Sequence, residues 1–516
     1  MHESAEPLFP YPLLEALRDS PGSTAFEQGD RLVSRGELLD LIERLAGALR
    51  EAGLGPGRGV ALSAGVSPEA FAAHMAAHTI GCRVLCVRPG YTASWLAHVL
   101  GMDVDAVVTD ASAATPELLG AAGPAAVLSL GPVAGASDLL AHPGGGRVTG
   151  VTCRPGDVAL LSFTSGSTGE PKGCAFTYRA LDAHWSYNPR NWTPMAAALA
   201  GSFERFAVFG TLASPVILDY LMLCLLGGGT AVIPEEDGRP LFPYAIERHR
   251  LTGTVMAAPR LCQMLDLLKD EPVEVGSLRA VMVGGSSISA RRLTEAVERL
   301  GPVVYHGYGM TEASLITMLT PADITRLPGR AAASAGFPHP AVEISVRDEE
   351  GRPVPAGRSG EIHVRSPYLM TGYWDRPEET GEVLRDGWLR TRDLGHLDDG
   401  LLYLAGRTRD VILVNATVVY AGPIERVLAG HPGVAEAYVT GAPDERTGEA
   451  VHAFVVPSPG HIPDPDTLTA LVRAELGQEA VPATVTTVHT VPVATSGKPD
   501  KRALLERYGP APVARP

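Results

Sequence analysis

Lysine is scarce in this chain, and the scarcity makes each lysine informative. Only four of its 43 basic residues are lysines, at positions 172, 269, 498 and 501. Lysine carries a compact point charge, which suits a crowded anionic site better than the broad planar guanidinium of arginine. Lys172 and Lys498 each lie beside a glycine, in distant parts of the chain. We therefore predict that they form two halves of one site for phosphate and carboxylate.

Positive charge is in deficit over the whole chain as well. The 43 basic residues face 58 acidic ones, which gives a formal net charge of −15. This balance argues against a nucleic-acid partner and against binding to an anionic membrane. An anionic substrate must then be captured by a local positive site.

The sequence also lacks long apolar segments and paired cysteines. The most apolar helical candidate, 216–226, is short and contains Asp219, so no membrane span is predicted. The start of the chain lacks a basic segment followed by an apolar one, so no signal peptide is predicted. The six scattered cysteines lack zinc-site spacing, and we expect reduced, mostly buried thiols in a cytoplasmic protein.

The apolar pattern divides the chain into regions of different texture. A length of 516 residues predicts two or more domains. Strand candidates alternate with helical patterns up to about residue 305, which predicts an α/β fold of helix-covered, mainly parallel sheets; the candidates are 158–163, 230–233, 254–258, 279–283 and 303–305. After about residue 336, period-two alternation predicts a β-rich subdomain. A small α+β unit follows, and we place the boundary between domains 1–406 and 407–516.

The strongest local signal is the loop 164–173 (TSGSTGEPKG), directly after the strand candidate 158–163. Glycines permit positive φ angles, and successive backbone N–H groups can converge on one anion. The loop is not a Walker A loop, because Pro171 and Gly173 flank its lysine. We predict a phosphate-binding loop rather than a flexible surface loop; its nucleotide-binding residues are Thr164, Ser165, Gly166, Ser167, Thr168 and Gly169.

Further motifs follow this loop in a fixed order. They are 308–312 (YGMTE), 360–362 (GEI), 390–393 (RTRD), 406–410 (GRTRD) and 495–498 (TSGK). The ordered set resembles the motifs of the adenylate-forming superfamily, which comprises acyl-CoA synthetases, peptide-synthetase adenylation domains and luciferases. The resemblance covers about 26–505 and is nearest the acyl-CoA synthetase branch. It implies a large N-terminal domain that binds ATP and an acid, and a small mobile C-terminal domain that carries the catalytic lysine.

The resemblance also implies how nucleotide would be bound. Tyr308 would stack on adenine, Asp393 would accept hydrogen bonds from both ribose hydroxyls, and Arg407 would contact ribose or phosphate. Gly284 and Gly285 follow the strand candidate 279–283. We expect equally that they let the backbone approach the nucleotide closely or that they only form a tight turn. The additional nucleotide-binding candidates are Gly284, Gly285, Ser286, Gly309 and Met310.

The catalytic roles follow from the charges that must meet. Carboxylate attack on the α-phosphate brings two anions together, so a cation between them lowers the barrier. Lys498 would supply it, while Lys172 would bind the phosphates and Thr311 would donate to the α-phosphate or the carboxylate. Glu312 offers hard oxygen ligands for Mg²⁺, which bridges phosphates. The implied cofactors are therefore ATP and Mg²⁺, and the implied products are an acyl-adenylate and pyrophosphate.

The hinge motif departs from the family in its second half. Family members rotate the small domain about the hinge, here Asp410, before a thiol attacks the adenylate. The motif usually continues with a lysine and then a glycine that lines the thiol tunnel, whereas this chain has Leu413 and Ala416. A Cβ at the tunnel position would narrow it. We expect adenylation to be intact and transfer to coenzyme A to be weak or absent, with a separate thioester-forming or carrier protein as partner.

The acid is predicted from the pocket segments 206–216, 282–286 and 306–310. These segments are apolar or small, and the pocket residues assigned are Phe209, His306, Gly307 and Met310. His306 suits a buried core position equally well. No aspartate follows a phenylalanine where peptide-synthetase domains bind the substrate amine. Asp219 could substitute for it, but its helical position favours a helix cap or a surface position. The pattern favours a neutral, bulky, apolar carboxylic acid.

Three functions are compatible with these motifs. The leading interpretation is an acid–thiol ligase, an acyl-CoA synthetase-like enzyme that forms acyl-adenylates. The alternatives are a stand-alone adenylation enzyme that loads a carrier protein, and a non-catalytic nucleotide-binding homologue. Retention of Lys172, Glu312, Asp393 and Lys498 together argues against the last.

Overall fold

A computed structural model describes residues 8–142, 151–165, 171–285, 288–407, 411–415, 417–444, 446–493 and 499–509. All structural statements below refer to these residues. The strands in chain order are β1 Thr24–Gln28, β2 Arg31–Ser34, β3 Gly59–Ser63, β4 Arg83–Cys86, β5 Ala106–Thr109, β6 Ala126–Ser129, β7 Ser137–Asp138, β8 Val158–Ser165, β9 Pro171–Thr177, β10 Arg205–Ala207, β11 Thr230–Ile233, β12 Gly253–Ala257, β13 Ala280–Gly284, β14 Val304–Met310, β15 Ser314–Leu319, β16 Phe337–Pro338, β17 Glu343–Arg347, β18 Gly360–Arg365, β19 Gly372–Tyr373, β20 Leu384–Arg385, β21 Trp388–Asp398, β22 Leu401–Arg407, β23 Val411–Val414, β24 Thr417–Tyr420, β25 Val434–Asp444, β26 Gly448–Pro457 and β27 Thr484–Thr487.

Helices cover these strands along the whole chain. In chain order they are α1 Tyr11–Asp19, α2 Arg35–Glu51, α3 Pro68–Thr79, α4 Ala93–Leu100, α5 Pro116–Ala121, α6 Tyr178–Asp182, α7 Pro194–Ser202, α8 Pro215–Leu226, α9 Tyr244–His249, α10 Ala258–Asp270, α11 Ala290–Leu300, α12 Pro321–Arg326, α13 Pro328–Ala333, α14 Pro377–Val383, α15 Ala421–Gly430, α16 Pro465–Leu476 and α17 Lys501–Tyr508. Many begin with a side-chain cap, as in α2, where Ser34 and Glu37 form a capping box. Among the helices of the described residues, none combines the length and apolar character that crossing a membrane requires.

Two large sheets form the N-terminal part, and both are mainly parallel. The first runs β16-β15-β14-β13-β12-β10-β11-β1-β2, with antiparallel pairs only at its ends. The second runs β19-β9-β8-β4-β3-β5-β6-β7, and its antiparallel pairs join β8, β9 and β19. Parallel strands need crossover connections, which the intervening helices supply. The prediction of helix-covered, mainly parallel sheets is confirmed.

The remaining two sheets belong to the later parts of the chain. β17, β18, β20, β21 and β22 form an antiparallel sheet, which confirms the β-rich subdomain. β23 to β27 form a sheet that packs on α15 and α16 around a core of its own, which includes Ile424, Leu428 and Leu468. This last unit is the small C-terminal domain expected from the sequence.

Individual residues confirm one detail of the sequence prediction and correct two others. All six cysteines are free, and four of them are buried, as expected. The expectation for Asp219 was wrong, because only 6% of this residue is exposed within α8. The strand predicted to end at Tyr305 continues to Met310, since Gly307 and Gly309 lie within β14.

Candidate active site

An antiparallel hairpin formed by β8 and β9 positions the predicted phosphate loop. The strands pair Thr164 with Lys172 and Ser165 with Pro171. Lys172 thus lies directly opposite Thr164 on the neighbouring strand. The predicted nucleotide-binding residues Gly166, Ser167, Thr168 and Gly169 lie outside the described residues.

Helix α14 brings an acidic partner to Lys172. The ammonium forms an ion pair with Glu379, whose pKa is lowered chiefly by its hydrogen bond from Lys172. The same ammonium lies 5.2 Å from the ring centroid of Tyr373, in cation–π geometry. Neither partner was predicted from sequence. No motif marks the stretch 372–379 that carries them, and only the structure shows that β19, at its start, pairs with β9 of the phosphate hairpin.

Tyr373 connects Lys172 to Glu312. Its hydroxyl donates to Glu312 Oε1 at 2.9 Å, and only 8% of Glu312 is exposed. Burial, followed by the charge of Glu312, raises the pKa of the Tyr373 hydroxyl, so it stays protonated and acts as a donor. Because the hydroxyl uses Oε1, the Oε2 lone pairs of Glu312 can face a metal ion. Thr311, immediately before it, is half-buried.

Strands β14 and β15 form the hairpin that carries this carboxylate. Register pairs Met310 with Ser314 and Gly309 with Leu315, so residues 311–313 form its turn. A Cβ on Gly309 would lie 2.3 Å from the Ser314 carbonyl oxygen, which requires glycine at this close approach. The turn is further fixed by the Met370 N–H, which donates to the Glu312 carbonyl at 3.0 Å.

The same hairpin holds a second carboxylate site through Tyr308. The Tyr308 hydroxyl donates to Asp393 Oδ2 at 2.6 Å, and Arg407 Nε donates to Asp393 Oδ1 at 2.9 Å. Only 6% of Asp393 is exposed, and the pKa of the Tyr308 hydroxyl is raised by burial and by this carboxylate. The structure therefore brings together the three residues assigned to adenine and ribose, with the Tyr308 hydroxyl already engaged.

Arg392 stands where the ribose motif usually has glycine. Its φ is +62°, in the left-handed region that favours glycine. Its guanidinium donates to Glu382 Oε2 of α14 at 2.9 Å. The positive φ angle explains why the family usually has glycine at this position. The bond to Glu382 joins strand β21, which carries the ribose motif, to the helix that carries Glu379.

The predicted pocket residues are distributed along the carboxyl-terminal ends of the first sheet. Phe209 packs edge-on against Phe242, lies under the Arg260 guanidinium at 4.9 Å, and borders a cavity of about 390 Å³. His306 is 8% exposed, and burial lowers its pKa to about 4. A Cβ on Gly307 would meet the Met282 Cε at 2.4 Å, so this position is tightly packed. Gly285 has a φ of +79° with open space around it, as a turn residue would.

Ser286, the hinge residue Asp410, the tunnel residue Ala416 and the catalytic lysine Lys498 lie outside the described residues. Lys269, by contrast, forms ion pairs with Asp266 on its own helix α10 and with Glu295 on α11, which accounts for it without a catalytic role.

The chain belongs to the AMP-binding enzyme family: the model of that family matches residues 13–374, and the model of its C-terminal domain matches residues 423–498. Its relatives make it an acyl-CoA synthetase-like ligase of the adenylate-forming superfamily. One relative, the feruloyl-CoA synthase of Amycolatopsis sp, is 33% identical over 95% of this chain and 97% of that protein.

Two further similar proteins end their reactions on different acceptors. The fatty acid–[acyl-carrier-protein] ligase ScoC of Streptomyces coeruleorubidus is 33% identical over 90% of this chain and 89% of that protein. The solved structure of the amide bond synthetase McbA from Marinactinospora thermotolerans is 36% identical, with a TM-score of 0.85 over 95% of this chain and 98% of that one. The shared chemistry of these relatives is ATP-dependent activation of a carboxylic acid.

Proposed function

We propose that this protein activates a bulky, largely apolar carboxylic acid to its acyl-adenylate and releases pyrophosphate. The observation that carries the proposal is that one hairpin, β14–β15, links two carboxylate sites. Tyr373 ties Glu312 to the Lys172 side, where phosphates would bind, and Tyr308 ties Asp393 and Arg407 to the ribose side. A single nucleotide spanning the hairpin would contact both.

The reaction needs positioning and charge rather than a protein nucleophile. A carboxylate oxygen of the acid attacks the α-phosphorus of ATP, and the bond to the pyrophosphate oxygen breaks. Lys172 would exchange Glu379 for the phosphates, and Lys498 would stabilise the two anions as they meet. Glu312 would hold Mg²⁺ through the oxygen that Tyr373 leaves available, and Mg²⁺ would neutralise phosphate charge. The proposed location is the cytoplasm, because ATP is supplied there.

The acceptor of the acyl group is proposed to be something other than coenzyme A. The hinge motif has Leu413 in place of lysine and Ala416 in place of the tunnel glycine. The similarity to an amide bond synthetase favours an amine as acceptor, in which nitrogen attacks the acyl carbon and AMP leaves. The similarity to ScoC keeps a carrier-protein thiol as the second candidate.

A screen of acids with two readouts tests this proposal. The protein, MgATP and each acid are incubated alone, with coenzyme A, or with a simple primary amine, and acyl-adenylate, thioester and amide are measured by mass spectrometry. We expect adenylate with at least one apolar acid, amide in the presence of amine, and little thioester. Lys498→Ala should abolish adenylate while ATP still binds. Rapid thioester formation would overturn the acceptor assignment, and failure with every acid would overturn adenylation itself.

A further inference from the structure

A buried polar cluster lies beside the β14–β15 hairpin, and the proposed reaction does not use it. We call it the Asp219 cluster: Asp219 of α8, Ser314 of β15, and His184, Ser186 and Tyr187 from the segment after α6. Around Asp219, helix α8 is apolar and buried on every side. An acidic side chain in such surroundings is costly unless something compensates its charge.

The hydrogen bonds of the cluster have a defined direction. The Ser186 backbone N–H donates to His184 Nδ1 at 3.3 Å, which makes Nδ1 an acceptor and places the ring proton on Nε2. That Nε2–H then donates to Ser314 Oγ at 2.8 Å, and the Ser314 hydroxyl donates to Asp219 Oδ2 at 3.4 Å. The Tyr187 hydroxyl is a further partner of the carboxyl group. Asp219 therefore accepts the last hydrogen bond of the chain from His184 through Ser314, and a second one from Tyr187.

Among the described residues, Asp219 has hydrogen-bond donors around it but no lysine or arginine. Within the described part of the chain, no lysine or arginine forms an ion pair with it, and its histidine neighbour is neutral because burial lowers the pKa of His184 to about 3. Burial raises the pKa of Asp219 to about 7, despite the hydrogen bonds from Tyr187 and Ser314. Because a buried carboxylate without a cation is costly, each further neutral donor that reaches its oxygens stabilises it.

The cluster reaches the acid site through Ser314. Ser314 is paired directly with Met310, a predicted pocket residue, and non-bonded antiparallel pairs bring Cα atoms to about 4.5 Å, bonded ones to about 5.5 Å. It is also the third residue after Thr311, which is assigned to the reacting carboxylate. Unlike the buried members, Ser314 is partly exposed, so the cluster is open on the hairpin side.

Aromatic side chains pack against His184, a member of the Asp219 cluster. The His184 ring stacks on Tyr187 at 4.5 Å and lies 5.0 Å from the Tyr368 ring. The Trp185 ring lies 5.8 Å from His184. Aromatic side chains packed beside a buried acceptor suit a planar ligand that bears one hydrogen-bond donor.

We propose that Asp219 determines acid specificity by accepting a hydrogen bond from an N–H or O–H group on the body of the acid, remote from its carboxylate. The inference rests on the proposed adenylation and names its substrate class: planar aromatic acids that carry one donor. A site built to accept such a bond disfavours the analogue that lacks the donor, because the acceptor then stays buried and unpaired.

Matched pairs of acids test this assignment. Indole-3-acetic acid is compared with benzothiophene-3-acetic acid, and 4-hydroxycinnamic acid with 4-methylcinnamic acid, by kcat/KM for pyrophosphate release. We expect one donor-bearing acid to be preferred about 10- to 100-fold over its partner. The two pairs distinguish an N–H from an O–H donor. Equal rates within both pairs would overturn the proposal, as would adenylation of other apolar acids with rejection of all four; no adenylation of any acid would instead refute the proposed function.

The variant Asp219→Asn separates recognition from positioning. Ser314 and Tyr187 would hold its amide oxygen, leaving the NH₂ group toward the acid, so the preference should fall to near unity or reverse. Activity toward the donor-free acid should change less than threefold. A similar loss for both members of a pair would mean that Asp219 only positions the hairpin and would overturn the proposal. Ser314→Ala keeps the carboxyl group and should keep the preference, and Thr254→Val, which removes a buried hydroxyl on β12, is the control for core substitution.

Discussion

At the scale of single residues, two tyrosine hydroxyls each hold one carboxylate of the candidate site. Tyr373 donates to Glu312 and Tyr308 donates to Asp393, at 2.9 and 2.6 Å. Burial raises the pKa of both hydroxyls, so each stays a donor. The bonds are alike, but the carboxylates they orient are assigned to different parts of the nucleotide.

The substitutions Tyr373→Phe and Tyr308→Phe should therefore produce different defects. Removal of a hydrogen bond that orients a metal-binding carboxylate typically costs about 10- to 100-fold in metal affinity or activity. We expect Tyr373→Phe to raise the Mg²⁺ concentration needed for half-maximal pyrophosphate exchange about tenfold, with a small change in KM for ATP. Tyr308→Phe should raise KM for ATP and leave the Mg²⁺ requirement nearly unchanged.

Each tyrosine variant is the control for the other, since both remove one buried hydroxyl from the same region. Parallel Mg²⁺ and ATP titrations of pyrophosphate exchange supply the comparison. If both variants shifted the Mg²⁺ requirement equally, Glu312 and Asp393 would not have the separate roles assigned here.

At the scale of elements, the β14–β15 hairpin depends on close backbone packing. The turn 311–313 keeps its shape because Gly309 allows the Ser314 carbonyl to approach where a Cβ would collide at 2.3 Å. Ser314 itself has a φ of +55°, so the strand starts in a strained conformation. The hairpin thus joins Tyr308, Glu312 and Ser314 in one rigid unit.

Gly309→Ala should therefore impair both stability and catalysis. Inserting a methyl group against fixed backbone costs about 1 to 3 kcal/mol, and a displaced turn would move Glu312. We expect a lower midpoint of urea unfolding and at least a tenfold loss of pyrophosphate exchange. Gly329→Ala in α13 is the matched control, because nothing lies within 4 Å of its Cβ and alanine favours a helix by about 0.5 to 1 kcal/mol. An active, stable Gly309→Ala protein would show that the close approach is dispensable.

The sequence predicted those elements whose signal is local. The strand 230–233 coincides with β11, and the helical candidate 216–226 matches α8 to within one residue, because their apolar patterns lie within the elements themselves. The strand after residue 303 was predicted too short, since glycines weaken a strand pattern although packing against Met282 and Ser314 requires them here. Local sequence patterns do not predict the end of a strand that depends on tertiary packing.

The contacts that build the site were beyond local patterns. Tyr373 and Glu312 are 61 residues apart, and His184 and Ser314 are 130 apart. Motif resemblance could supply Glu312, Tyr308 and Asp393, because each stands in a recognisable string. It could not supply Tyr373, Glu379 or the burial of Asp219, since a single polar residue in a helix pattern is more often capped or exposed.

At the scale of the whole molecule, the proposed adenylation and acyl transfer would use one nucleotide site in turn. The large domain holds Lys172, Glu312 and Asp393, while Lys498 belongs to the part of the chain matched by the C-terminal domain model. We propose that the small domain, from residue 407, presents Lys498 for adenylation and then turns about Asp410 to admit the acceptor. Leu413 and Ala416, just after the hinge, would then face the acceptor rather than ATP.

A proline at the hinge should separate the two partial reactions. Proline fixes φ near −65°, so Asp410→Pro would restrict the rotation while leaving every assigned adenylation residue in place. We expect acyl-adenylate formation to stay within about threefold of the unaltered enzyme, and amide formation from purified adenylate and amine to fall at least 100-fold. Asp410→Ala, which removes the same carboxylate without fixing φ, is the control and should support both steps. Lys498→Ala should show the reverse pattern, with adenylation lost and amide formation from supplied adenylate retained. Loss of both steps in Asp410→Pro, or of neither, would contradict a two-position cycle, because only a rotation between the steps makes one hinge substitution and one lysine substitution complementary.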